Sequence, residues 1–169
     1  MRMLFPLTVL SMLFCSLALA GGPPPPAGWG QPKALPPANG DGQVSFKQGG
    51  AAFTLPLNKI EITEKDDLFI VSLTYVDAKQ ENKLELTFGS MPKMGKDDPR
   101  TITGFSVKTK DQGLSRSAAN KSKCALTLGK VSAQEASGTL SCTGMTDLSA
   151  KNPAPDVTEV KFEAKLKGK

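Results

Sequence analysis

The stretch Val44–Leu55, VSFKQGGAAFTL, decides the fold class. Two runs that alternate apolar and polar residues flank the pair Gly49-Gly50. Two glycines accept the positive φ angles that a two-residue hairpin turn demands. Closing the chain there sets Phe46 opposite Phe53 and Val44 opposite Leu55, all on one face. A period of two with a glycine turn is the pattern of a half-buried antiparallel hairpin, not of a helix.

The same period continues downstream. Pro56 should end regular pairing or mark an edge, because proline has no amide to give a ladder. The segment 60–63 (IEIT) alternates weakly. In 68–76 (LFIVSLTYV), Phe69, Val71, Leu73 and Tyr75 share one face, while Ile70 and Val76 lie on the other, as in a central strand. In 83–88 (KLELTF), Leu84, Leu86 and Phe88 point inward. In 101–109 the phase breaks at Gly104, which predicts a bulge. The last segment sets Val160, Phe162, Ala164 and Leu166 against Lys161, Glu163, Lys165 and Lys167. This strict alternation outweighs its helix-forming composition and predicts a strand, with its lysines guarding an exposed sheet edge. The pattern predicts about eight or nine short strands and no helix. Such strands must bury one face, which favours a single antiparallel β-sandwich, immunoglobulin-like or jelly-roll-like, with a closed β-barrel as the alternative.

Two cysteines lie in the run Lys123–Cys142, KCALTLGKVSAQEASGTLSC. Folding this run on Ser132-Ala133-Gln134 sets Cys124 against Cys142, Leu126 against Leu140 and Leu128 against Gly138. The register that buries the leucines therefore joins the cysteines, at a spacing inside the disulfide range. A metal site would need further ligands. A catalytic thiol would need exposure and a base beside it. We expect a structural disulfide, Cys124–Cys142.

The N-terminus reads as export machinery. Arg2 precedes an apolar run from Met3 to Leu17, and Ala18-Leu19-Ala20 supplies the small residues of a cleavage site, so a secretory signal peptide is expected over 1–20. The apolar run is short for a membrane span. Phe14 before Cys15 is too large for a lipidation site. Residues 21–42 carry seven of the chain's 13 prolines and read as a flexible Pro/Gly-rich lead that includes Trp29, the only tryptophan. The β-domain is expected over 43–169. The chain should be secreted or periplasmic, without a membrane span, and monomeric. An exported, proline-led, stapled β-domain is similar in architecture to many small bacterial secreted proteins, a likeness that assigns no residue a role.

Composition excludes whole classes of chemistry. The chain has no histidine, so His-based triads, dyads and zinc sites cannot be built. Its net charge of +5 comes from lysines scattered among acids, with arginine only at 2, 100 and 116. Nucleic-acid surfaces cluster arginine with stacking aromatics, so no nucleic-acid partner is expected.

Four motifs remain. Ser90-Met91-Pro92-Lys93 has the spacing of an acylating serine and its lysine, but Pro92 and the flanking glycines place it in a loop rather than on the required helix turn. Met91 and Met94 offer soft thioethers to copper, or cap the core. Asp66, Asp67, Asp97 and Asp98 would bind calcium if two loops converged, although aspartate pairs also simply form turns. Asn120-Lys121-Ser122 spells a glycosylation sequon.

No cofactor and no catalytic residue is expected. The chain reads as a non-catalytic protein-binding or structural module of the cell envelope, with contacts from the loops 89–100, 111–122 and 144–156. The alternatives are a small-ligand or metal (Cu or Ca) carrier and an inhibitor of a secreted hydrolase.

Overall fold

In the computed structural model, residues 35, 37–91, 101–116, 122–148 and 154–168 are described. They contain ten strands: β1 (Gly40–Gln48), β2 (Ala51–Lys65), β3 (Leu68–Val76), β4 (Lys83–Ser90), β5 (Thr101–Lys108), β6 (Gly113–Ser115), β7 (Lys123–Val131), β8 (Glu135–Thr143), β9 (Thr146–Asp147) and β10 (Val157–Leu166). No helix occurs among the described residues.

The Gly49-Gly50 hairpin forms in the expected register. Phe46 faces Phe53, Val44 faces Leu55, and the two phenyl rings stack at 5.0 Å between centroids. Both glycines take positive φ, 57° and 89°, which a side chain would strain. The hairpin β7–β8 also pairs as expected, Cys124 with Cys142, Leu126 with Leu140, Leu128 with Gly138.

The strands build one antiparallel sheet, ordered β7-β8-β10-β1-β2-β3-β4-β5-β6-β9, where a sandwich of two was expected. The reason lies in β2. Pro56 does not end this strand but sits inside it. Up to Pro56 the strand pairs with β1, and from Leu57 it pairs with β3. Proline's missing amide falls at the handover, where it breaks neither ladder. The register shifts between Leu57 and Lys59, and such a bulge bends and twists a strand. One 15-residue strand thus serves both halves of a sheet that curls into a half-barrel.

The curl brings distant strands together across the core. Phe88 of β4 meets Phe162 of β10 at 5.8 Å. The Tyr75 hydroxyl of β3 donates to the Glu163 carbonyl of β10 at 3.1 Å. Val44, Val71, Leu84, Leu86 and Val160 are fully enclosed between them. Gly138 sits where this packing is tightest. A Cβ there would come within 2.5 Å of the Thr127 carbonyl oxygen and 2.9 Å of the Phe162 ring.

Two strand readings are corrected. β10 is not an edge: it pairs with β1 on one side and β8 on the other, so its lysines decorate an outer face. β3 is central in the sheet, yet only one end of its second face is covered, with Val76 buried and Ile70 45% exposed. The break at Gly104 is a bulge, lying where β5 shifts register against β4.

Candidate functional site

The cysteines form the expected bond, Cys124–Cys142, with Cα atoms 4.1 Å apart. Cys142 is fully buried and Cys124 partly so. The pair is therefore a staple between two strands. Asp66 and Asp67 form the two-residue turn from β2 to β3, at φ 50° and 67°. Aspartate tolerates this conformation better than most residues, so the turn accounts for both. Asp97 and Asp98 lie outside the described residues, as do Met94, Lys93 and Asn120. Met91 follows β4 half-buried, and Ser90 is buried within that strand opposite Phe69. Among the described residues no three of His, Cys, Asp and Glu gather as a metal site.

Sequence reading missed a polar trough on the outer face of β2–β5. Its volume is about 530 Å³, and Lys59, Glu61, Ser72, Glu85, Thr87 and Arg116 are among the residues lining it. The trough arises where polar outward residues of adjacent strands, such as Glu61, Ser72, Glu85 and Ser106, lie side by side. Its charges are engaged locally. Lys59 holds Glu61 at 2.8 Å and Lys83 holds Glu85 at 2.6 Å. Ser106 also donates to Glu85, at 3.2 Å, and Arg116 donates through Nη1 to the Ile102 carbonyl at 2.6 Å. Exposed pairs of this kind contribute little to stability.

A second polar group links strands far apart in the sheet order. Gln48 of β1 donates to the Gln112 side chain at 3.4 Å, and Gln112 donates to the Asp147 carboxylate of β9 at 2.8 Å. Gln48 and Asp147 are both buried. This chain ties β1 to the far end of the sheet.

The two ends of the sheet differ sharply. β9 is two residues long and pairs with a three-residue β6. β7 is nine residues long and, among the described residues, pairs only with β8. The 4.1 Å spacing of Cys124 and Cys142 marks the narrow, non-hydrogen-bonded kind of cross-strand pair. In such a pair the amide and carbonyl of each residue point away from the partner strand. Alternation puts Leu126 and Leu128 in the same class. The outer rim of β7 thus presents the backbone groups of Cys124, Leu126 and Leu128, and no ladder among the described residues uses them. The three side chains are half-buried against the core. Lys123 and Lys130 stand at the two ends of the strand. The register shift between Leu128 and Lys130 turns Lys130 outward and lets Val131 pack inward. The middle of β7, residues 124–129, carries no charge and no proline.

Folded β-domains normally blunt such edges with charge, proline or brevity. β9 is blunted by brevity, whereas the rim of β7 from Cys124 to Leu128 pairs with no strand among the described residues and is crosslinked to its neighbour. No protein-family model matches the chain, and no curated protein or solved structure matches it significantly.

Proposed function

We propose that this is an exported, non-catalytic β-domain that works by accepting a partner strand along β7. The observation that carries the reading is the open β7 rim, with the outward amides of Cys124, Leu126 and Leu128 in a strand fixed to β8 by the Cys124–Cys142 bond. Strand addition takes its affinity from main-chain hydrogen bonds. A rim fixed before binding loses little conformational entropy on pairing. A disulfide is kept in oxidising compartments, which agrees with the export signal read at residues 1–20. In the trough on β2–β5, Glu61 and Glu85 each sit beside a lysine of their own strand.

The test is amide hydrogen exchange on the oxidised chain, in fluid from its own compartment and in dilute pure solution. The amides of Cys124, Leu126 and Leu128 should exchange about tenfold slower or more in the fluid. Equal rates would overturn the reading. So would a bound metal or small molecule found by native mass spectrometry, which would favour a carrier.

A further inference from the structure

The β7 rim is self-complementary, and we propose that its partner is a second copy of this chain, paired antiparallel about a twofold axis through Leu126. This rests on the reading of β7 as the working edge, and it departs from the monomer expected from the sequence. A twofold axis maps each rim onto itself in reverse. With the axis at Leu126, Leu126 faces its own copy, Cys124 faces Leu128, Ala125 faces Thr127 and Lys123 faces Gly129. Every residue whose amide and carbonyl point outward then meets another of the same kind. Each hydrogen-bonded pair exchanges two bonds, so the ladder gains about six.

Charge allows this register. Neither lysine of β7 falls directly opposite the other. Lys130 is already paired with Glu135 at 2.5 Å. Like charges directly opposite would weaken such a pairing, and none arises. On the core side, Leu126 adjoins Leu126 of the copy, and Leu128 adjoins its Cys124 across the seam. The half-buried side of each strand is thereby covered by an identical apolar strip.

The lengths of the two edges select this arrangement over an open chain of copies. A head-to-tail contact would set β7 against β9 of the next copy. That edge offers two residues, too few for a ladder. Only the β7–β7 contact matches length with length, and an isologous contact of this kind closes at two copies. The disulfide strengthens the case, because it fixes the rim in the register that the copy reads.

The experiment is sedimentation equilibrium on the mature, oxidised chain across micromolar to millimolar concentration, with two double variants on the exposed side of β7. Ala125 and Thr127 are both exposed. In Ala125→Glu/Thr127→Glu each glutamate faces a glutamate of the copy, and dimer affinity should fall about tenfold or more. In Ala125→Lys/Thr127→Glu each lysine faces a glutamate, and dimerisation should match or exceed that of the parent. The Tm of each variant, measured beside that of the parent, reads loss of fold separately. A parent that stays monomeric throughout overturns the proposal, as does a dimer that both variants leave unchanged. The two readings fail differently. A monomer whose β7 amides are still protected in compartment fluid leaves strand addition standing with a foreign partner. A monomer without that protection ends both.

Discussion

Two hairpins of this molecule were written in the same alphabet and are held together by different means. β1–β2 turns on Gly49-Gly50 and lies in the middle of the sheet, with Val44, Phe46 and Leu55 enclosed. β7–β8 turns on residues 132–134 and lies at the sheet's end, where only β8 has strands on both sides. There Leu140 and Cys142 are buried while Leu126 and Leu128 remain half-covered. Burial of a large apolar side chain contributes about 1.5–3 kcal/mol, and the first hairpin collects it on both strands. The second collects it mainly on β8, and a covalent bond supplies the rest. Where the core cannot reach, the chain uses a crosslink.

The largest effect should come from emptying the buried hairpin. Phe46→Ala removes a ring stacked on Phe53 and enclosed by the core, and should cost about 3–5 kcal/mol, read as a lower midpoint in denaturant. Next comes the stapled hairpin. Cys124→Ser/Cys142→Ser should cost about 3 kcal/mol, the value for a loop of this size. Its signature separates it from the first variant: hydrogen exchange should quicken in β7 and β8 more than in β1 and β2. Uniform quickening would show that the two hairpins open together, and the contrast drawn above would fail.

The smallest effect sharpens the comparison at the place where the two halves meet. Tyr75→Phe deletes the bond to the Glu163 carbonyl and should cost about 1 kcal/mol. It should also change the response to alkali. Burial, with the Glu163 carboxylate adding to it, pushes the Tyr75 phenol well above its ordinary value. The folded state therefore holds this proton more tightly than the unfolded chain. The resulting stability is fully present below about pH 10, the ordinary tyrosine value, and is lost as pH rises beyond it. Thermal unfolding from pH 8 upward should show a steeper alkaline fall in the parent than in the phenylalanine variant.

Local signals in the sequence went far. The glycine pair and the period of two set the first hairpin to the residue. The leucine and cysteine spacing set the second, disulfide included. The bulge at Gly104 was legible from a broken phase. Assembly was less so. Pro56 read as a stop, because proline usually interrupts a ladder, and nothing local shows that two different ladders meet there. β10 read as an edge because its lysines look defensive, whereas strand order depends on contacts between segments far apart in the chain. The sandwich expectation followed from the need of alternating strands to bury one face, a need that one sheet curled on itself also meets. The trough on β2–β5 was invisible for a similar reason: it is assembled from single outward residues of separate strands, each unremarkable by itself. The open rim of β7 needed the strand order and the pairing class of Cys124, and sequence gives neither directly.

The place of β10 governs when this domain is able to form. Among the described strands β10 is the last in sequence and the only link between β8 and β1. Its ladder with β1 joins Gly40 to Leu166, almost the full length of the domain. A chain emerging from its N-terminus can close β1 through β6 in order, each strand against the one before it. β7 and β8 then have no sheet to join until the final segment arrives. The two stretches wait as separate pieces, and the ten residues of β10 fuse them. High contact order of this kind slows folding, and here the delay is concentrated in one terminal event. A chain truncated before Val157 would not be a slightly shorter domain but two unjoined parts.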